Sequence, residues 1–198
     1  MRFFEDSKYY SLKKSTYINL RWIGIIGQLI SVYLVHFYFG FKFDFFLTNL
    51  AIFFGVLSNL YLIFIYKKTQ LSDRLALLFL LFDIIQLTVL IYLTGGAKNP
   101  FIIFIIIPSI FASTNLGLKT NLFIVLITCI MIIFLTFYAS ELPYPLANHF
   151  HISDYIYYSI PVSLIIALIF LNYFAIIFGR ESRLRKEALN KMEEIMAK

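Results

Sequence analysis

The chain has 198 residues, of which 61% are apolar, 19% are aromatic and only 14% are charged. A soluble core does not absorb such an excess of Phe, Ile and Leu, so the composition indicates an integral membrane protein. The formal net charge is +6, but the basic residues cluster between apolar segments instead of forming stripes, which argues against nucleic-acid binding. The single cysteine, Cys129, excludes a disulfide within one chain.

Six apolar segments follow a polar, basic N-terminal segment of residues 1–17. Each is near the length of about 20 residues that a helix needs to cross a bilayer. We predict an all-α integral membrane fold, a six-transmembrane helix bundle over residues 18–178. Its spans are Ile18–Phe39, Phe45–Tyr66, Leu75–Leu93, Phe101–Leu116, Leu122–Tyr138 and Ile156–Phe178.

The fourth predicted span is the shortest and contains Pro108. Proline has no N–H to donate to the carbonyl of Phe104, so a kink is expected there.

The distribution of charge predicts the topology. Fifteen of the 17 Lys and Arg residues lie in the N-terminal segment and first turn of span one, the 67–74 and 117–121 connections, and the C-terminal tail. The other two, Lys42 and Lys98, lie at the opposite side. Positively charged connections stay in the cytoplasm, so we expect a multi-pass protein with both termini cytoplasmic.

Residues 179–198 differ in pattern from the spans. Leu184, Ala188, Met192 and Ile195 recur at intervals of four, four and three residues, which predicts an apolar stripe along one helix face. We interpret this cytoplasmic linker as an amphipathic signalling helix that pairs in a parallel coiled coil and leads to a downstream domain. The alternative is an ordinary solvated amphipathic tail.

Four polar side chains lie inside the predicted spans. Asp83 is a carboxylate deep in the third span, and Gln86 follows one turn later on the same face. Arg21 and Gln28 lie two turns apart in the first span. Intramembrane ionisable groups often mark function, but Asp83 can also hold helices together by pairing with Arg21 or Gln28. Asp83 is about 18 Å from Gly95 along the helix, so we expect it not to contact a ligand at that glycine.

No catalytic residues are predicted. The chain has no Ser/His/Asp arrangement, no phosphate-binding glycine loop and no paired carboxylates. His36, His149 and His151 lie near the predicted outer surface and could bind a metal, but histidines are common at membrane interfaces. We therefore expect no metal site and treat these histidines as interfacial.

The connection between the third and fourth spans has an unusual composition for a membrane protein. Gly95 and Gly96 suit the end of a helix because glycine reaches left-handed backbone conformations easily. Asn99 is the predicted N-cap of the next helix, with Pro100 at its first position. Such a turn is either a well-capped hairpin or a site where helix-start N–H groups, the Asn99 amide and Phe101 bind a flat apolar ligand with carbonyl oxygens, such as a quinone.

Residues 95–101, Gly-Gly-Ala-Lys-Asn-Pro-Phe, resemble the GGxxNPF heptapeptide of RegB/PrrB-type redox-sensing histidine kinases. The flanking sequences are similar to that family as well, and the resemblance covers most of residues 18–198. The similar stretches are Leu20-Arg21-Trp22, Gly27-Gln28, Asp83-Ile84-Ile85-Gln86-Leu87 and Ser109 to Leu116.

The resemblance implies a sensor module of a two-component histidine kinase in a bacterial inner membrane. In that family the heptapeptide contributes to a ubiquinone site, and oxidised quinone restrains the kinase. Carried over, the ligand-binding residues are Gly95, Gly96, Asn99, Pro100 and Phe101, while Arg21, Gln28, Asp83 and Gln86 are coupling candidates. A homodimer and a cytoplasmic response regulator are implied as partners. The sequence shows no phosphoacceptor histidine region and no ATP-binding motifs, so we expect the kinase part to lie outside these residues.

A second hypothesis belongs to a different class. The chain could be a small membrane transporter or a substrate-binding subunit, with Asp83 and Arg21 lining a path. Transporters often contain inverted repeats with interrupted helices in both halves. Only one proline-interrupted span is evident here, and no repeat is convincing.

Overall fold

The computed structural model describes residues 12–138 and 154–196. Its long helical segments follow one another in an all-α bundle, as the sequence predicts. The α-helices are α1 (Lys14–Tyr33), α2 (Phe45–Phe64), α3 (Asp73–Leu93), α4 (Ile107–Asn115), α5 (Leu118–Tyr138) and α6 (Asp154–Met196). A π-helical turn, Leu34–Tyr38, extends α1, and two 3-10 helices, Gly96–Lys98 and Pro100–Ile106, separate α3 from α4. Two short strands, β1 (Leu12–Lys13) and β2 (Gln70–Leu71), form an antiparallel pair.

Five helices in the described part of the chain are long and apolar enough to cross a membrane, and a shorter apolar helix, Pro100–Asn115, joins them. The first seven residues of this shorter helix are 3-10 and the last nine are α-helical. Because a 3-10 helix rises about 2.0 Å per residue instead of 1.5 Å, the segment reaches about 27 Å. That length approaches the hydrocarbon thickness of about 30 Å. The prediction of an all-α, multi-pass membrane bundle is confirmed.

The backbone adapts to Pro108 by changing helix type. Pro108 is buried in the first turn of α4, directly after the 3-10 segment. The carbonyl of Phe104, which Pro108 leaves without its α-helical donor, accepts a hydrogen bond from the N–H of Ile107 instead. The expected loss of an α-helical bond at Phe104 is therefore compensated locally by the tighter 3-10 geometry.

The bundle has two unequal hydrophobic cores. The larger core lies among α3, α4, α5 and α6 and contains fully buried side chains such as Ile84, Ile105, Ile132 and Leu168. The helices α1 and α2 pack on each other, and α2 packs on α3. A small cluster of Ile25, Ile52 and Leu90 joins these three helices. This looser side of the bundle leaves space between α1 and α4.

One end of the bundle, which we call the tail end, joins segments that the charge pattern placed together. The β1–β2 pair connects the N-terminal segment to the connection between α2 and α3. The amine of Lys14 donates to the carbonyl oxygens of Ile63 and Tyr66, which closes the last turn of α2. The N–H of Gly117 donates to Asp73 over 3.4 Å. These contacts explain why α1 begins at Lys14, four residues before the predicted start at Ile18.

Helix α6 runs without a break through 43 residues, about 65 Å, so the last span and the predicted signalling helix are one element. At the tail end it passes close to α4, because a β-carbon at Gly179 would lie 3.3 Å from the backbone of Thr114. Beyond that point Leu184, Met192 and Ile195 are 56–73% exposed. The predicted stripe therefore has no partner among the residues of one chain that the structure describes. His149 and His151 lie outside the described residues.

Candidate ligand cavity

A cavity of about 1010 Å³ lies between α1, α2, α3 and the fourth helical segment, and its walls are mostly apolar. Ile23 of α1 and Phe104 of the 3-10 helix, both lining residues, are 70% and 46% exposed, so the cavity opens sideways towards the surrounding lipid. It extends along α3 from Leu80 to Thr94, about 21 Å. We describe it below as a floor near the tail end, a middle section, and a mouth at the connection between α3 and α4.

The floor is closed by an ion pair and an aromatic stack. Asp83 accepts hydrogen bonds from Arg21 Nε over 3.0 Å and from the Tyr17 hydroxyl over 2.6 Å. Arg21 Nη2 lies 2.8 Å from the same carboxylate and also donates to Ser58 of α2. The ring of Tyr17 stacks on Phe111 of α4, with centroids 5.8 Å apart. Of the two partners that the sequence offered for Asp83, Arg21 and Gln28, the structure shows Arg21.

The guanidinium of Arg21 is enclosed by aromatic rings. Its central carbon lies 5.5 Å from the ring centre of Tyr17, 5.6 Å from that of Phe79 and 6.0 Å from that of Phe82. Only 5% of the Arg21 side chain is exposed. A guanidinium removed from water is stabilised by a carboxylate together with aromatic faces. The floor thus ties α1, α2, α3 and α4 together at one depth.

The middle section contains a pair of side-chain amides. Gln86 Nε2 of α3 donates to Gln28 Oε1 of α1 over 2.8 Å. Gln86 is only 8% exposed and Gln28 is half-buried, and both line the cavity. Gly55 of α2 makes room for the pair, since a β-carbon there would lie 3.4 Å from Gln86 Nε2. The structure therefore brings Gln28 and Gln86 together, separately from the ion pair at the floor.

The mouth is shaped by residues 94–101, which we call the glycine turn. Gly95 and Gly96 have φ angles of 113° and 57°, positive values that glycine adopts far more easily than other residues. Asn99 is extended and its Oδ1 accepts a hydrogen bond from the N–H of Phe101 over 2.9 Å, with Pro100 at the start of the 3-10 helix. The predicted glycine cap, N-cap and first-position proline are all confirmed.

The expected hydrogen-bond donors of the glycine turn are occupied. The Asn99 amide donates to the hydroxyl of Thr94 over 2.6 Å and to its carbonyl over 3.2 Å. The N–H of Phe101 is bound by Asn99 Oδ1, and the N–H of Ile102 donates to the Asn99 carbonyl over 3.0 Å. The expectation of unpaired N–H groups at the start of the fourth helix was wrong for Phe101 and Ile102, because the N-cap and the 3-10 geometry satisfy both. Ligand binding at the turn itself stays a prediction.

The mouth is rich in aromatic side chains. Phe101 is 40% exposed, lines the cavity and stacks on Phe104 with centroids 5.9 Å apart. Phe41 and Phe43, from the connection between α1 and α2, line the same opening. His36, by contrast, stacks on Phe45 at 4.4 Å in a neighbouring aromatic cluster. Aromatic faces at the depth of a membrane interface suit a flat ring entering from the lipid.

The cavity connects residue groups that the sequence treated as separate. Asp83 and Asn99 both line it, so a single elongated ligand can reach the floor and the turn despite their separation. Tyr17, Gly24 and Gly27 were missed as candidates. A signal for them existed, because Tyr17, Arg21, Gly24 and Gln28 recur at intervals of four, three and four residues on one face of α1.

The chain is similar to the sensor histidine kinase RegB of Cereibacter sphaeroides. The two are 35% identical over 135 residues, which make up 67% of this chain and 29% of that protein. Over these 135 residues the chain is homologous to RegB. The resemblance predicted from the sequence is confirmed, although the chain spans less than a third of RegB's length. No protein-family model and no solved structure matches the chain.

Proposed function

We propose that this RegB homologue is the membrane sensor module of a two-component histidine kinase and that it binds a membrane quinone, such as ubiquinone, in the cavity. The observation that carries the proposal is the cavity itself. It is apolar, opens sideways between α1 and α4, has an aromatic mouth at the glycine turn and holds polar side chains inside. A quinone has a flat ring, two carbonyl oxygens and an apolar tail, and it reaches such an opening from within the bilayer.

The route from the cavity to the tail runs through α4 and α6. Ser109 Oγ of α4 donates to Asn172 Oδ1 of α6 over 3.2 Å, and both residues are buried. Gly179 lets the same two helices approach closely at the tail end. A ligand that shifts the 3-10 segment would therefore move α6, whose tail leads to the kinase region in our proposal. Cytoplasmic termini and a response regulator partner belong to the same proposal.

A parallel homodimer is part of this proposal as well. The exposed stripe Leu184, Ala188, Met192 and Ile195 would pair with its copy and transmit the movement of α6. With Cys129 replaced by serine, single cysteines in place of Met192 or Ile195 should then form crosslinks between chains in lipid nanodiscs. Monomers at every tested position would exclude the paired tail.

The transporter hypothesis has less support. A transport path requires access from both sides of the membrane, whereas the stack of Tyr17 on Phe111 and the Arg21–Asp83 pair close the floor of the cavity. A binding cavity that opens to lipid fits a sensor better.

Binding can be measured by titrating a short-chain ubiquinone analogue into nanodiscs that contain the 198-residue protein. Trp22 is the single tryptophan, and its neighbours Arg21 and Ile23 both line the cavity. A bound quinone should therefore quench the fluorescence of Trp22. Phe101→Ala should weaken binding roughly threefold to tenfold through lost ring contacts. Phe46→Ala is the matched control, since Phe46 is exposed at the same end of the bundle but does not line the cavity. Equal affinities for all three proteins, or no saturable quenching, would contradict the proposal.

A further inference from the structure

The amide pair in the middle of the cavity has unused hydrogen-bonding capacity. Gln28 and Gln86 are joined by one hydrogen bond, from Gln86 Nε2 to Gln28 Oε1. In the part of the chain that the structure describes, the NH₂ group of Gln28 and the carbonyl oxygen of Gln86 have no partner. Whichever way the two amides are turned, a single bond between them leaves one NH₂ group and one carbonyl oxygen free. Neither free group is fully buried, and both residues line the cavity, so the two groups can be reached from it. This pair therefore suits an added polar ligand.

The α1 wall beside this pair is flat and empty. Gly24 and Gly27 line the cavity, and a β-carbon built on either would meet no atom within 4 Å. These glycines therefore serve no close contact between described helices, unlike Gly55, whose β-carbon position lies against Gln86. Glycine inside a helix costs stability relative to alanine, so an open glycine face needs another reason. A planar ring lying against α1 supplies one.

We propose that the quinone head group sits in the middle of the cavity, flat against Gly24 and Gly27, with the Gln28–Gln86 amide pair as its hydrogen-bonding contact. This inference rests on the proposed quinone-binding function and identifies its polar contact. The glycine turn then acts as the entrance and scaffold, because the Asn99 amide and the N–H of Phe101 are bound internally. The ion pair lies below the head group and supports the floor.

The amide pair matches both redox forms of the ligand. A quinone carbonyl accepts a hydrogen bond, which the free NH₂ group donates. A hydroquinone hydroxyl donates one, which the free carbonyl oxygen accepts. The free NH₂ group and the free carbonyl oxygen belong to different helices, α1 and α3. When the hydroquinone replaces the quinone, the hydrogen bond to the ligand therefore moves from one helix to the other. Only binding is involved in this step, and no electron or proton passes to the protein.

The test uses the full 198-residue chain in nanodiscs and measures affinity for a ubiquinone analogue and for its hydroquinone. Gln28→Leu should weaken binding of the quinone, and Gln86→Leu binding of the hydroquinone, each roughly threefold to tenfold, the effect of losing one hydrogen bond. Asn49→Leu is the matched control, since it removes an amide of α2 that does not line the cavity. The double variant Gln28→Leu/Gln86→Leu should weaken binding of both redox forms.

A second variant separates binding from folding. Gly27→Leu places a side chain where the ring would lie, so it should reduce affinity at least tenfold. The same change should leave the melting temperature unchanged or raise it, because the added side chain enters open space and leucine favours the helix. If Gln28→Leu, Gln86→Leu and Gly27→Leu all bind the ligand with wild-type affinity, this inference is overturned and the proposed function stays in place. Absence of saturable binding to the wild-type protein would overturn both.

Discussion

The glycine turn and the amide pair line the same cavity, but they use their polar groups in opposite ways. At the turn, the Asn99 side chain makes three hydrogen bonds within the protein. In the middle of the cavity, Gln28 and Gln86 share one bond and keep other groups free. The more recognisable motif therefore builds the cavity, whereas the less conspicuous pair has the chemistry to hold a ligand. If this distinction is right, variants of satisfied groups will change stability first, and variants of unsatisfied groups will change binding first.

The largest effect is expected at the floor, where the charges are paired. Asp83→Leu leaves Arg21 as an uncompensated buried charge and should lower the free energy of unfolding by about 3–5 kcal/mol. The double variant Arg21→Met/Asp83→Leu should recover most of that loss, because it removes both charges. Thermal unfolding in the same detergent measures both effects. A double variant less stable than either single one would show that these side chains do not act as a pair.

The next effect concerns Asn99. Asn99→Ala removes the N-cap of the 3-10 helix and both bonds to Thr94, so we expect a loss of about 2 kcal/mol. Asn99→Ser keeps a capping oxygen and should lose less. In Asn99→Ser, the affinity of the folded protein for the quinone should stay within about twofold of wild type. Losing a hydrogen bond to the ligand would weaken binding by more than that. A tenfold loss of affinity with unchanged stability would place the head group at the turn and contradict the distinction drawn above.

The smallest effects are expected at the glycines, where the two regions should respond with opposite signs. Gly95 has a φ of 113°, so Gly95→Ala should cost about 1–2 kcal/mol of stability. Gly24 lies inside α1 beside open space, so Gly24→Ala should stabilise the protein by up to about 1 kcal/mol. Melting temperatures of both variants, measured beside wild type, provide the check. Destabilisation by Gly24→Ala would mean that this face of α1 packs against another element.

The sequence predicted elements better than it predicted which faces meet. Apolar runs located all six helical segments, and local rules predicted the caps at Gly95 and Asn99 because those depend on neighbouring residues. The prediction left the polar residues at the start of α1 out of the helix. In the structure they belong to it, because contacts from α2 and α3 to Lys14 and Tyr17 hold them there. Pro108 indicated which bond is lost but not that Ile107 would replace it.

The cavity could not be predicted in the same way. Its middle section and its floor depend on the rotation of α1 and α3 about their axes, which brings Gln28 to Gln86 and Arg21 to Asp83. Side chains 58 and 62 residues apart in sequence meet there, and no local pattern specifies such a pairing. The spacing of residues along α1 marks a shared face but not the element that this face meets.

Photoaffinity labelling tests the proposed ligand position most directly. A quinone that carries a photoreactive group on its ring would be bound to the protein in nanodiscs, illuminated, and located by mass spectrometry of peptides. We predict labels on α1 between Gly24 and Gln28 and on α3 near Gln86, both suppressed by excess unlabelled quinone. The opposite result would be labels only on exposed residues outside the cavity, such as Phe46 of α2 or Phe170 of α6. If excess unlabelled quinone suppressed those labels, binding in this cavity would be contradicted.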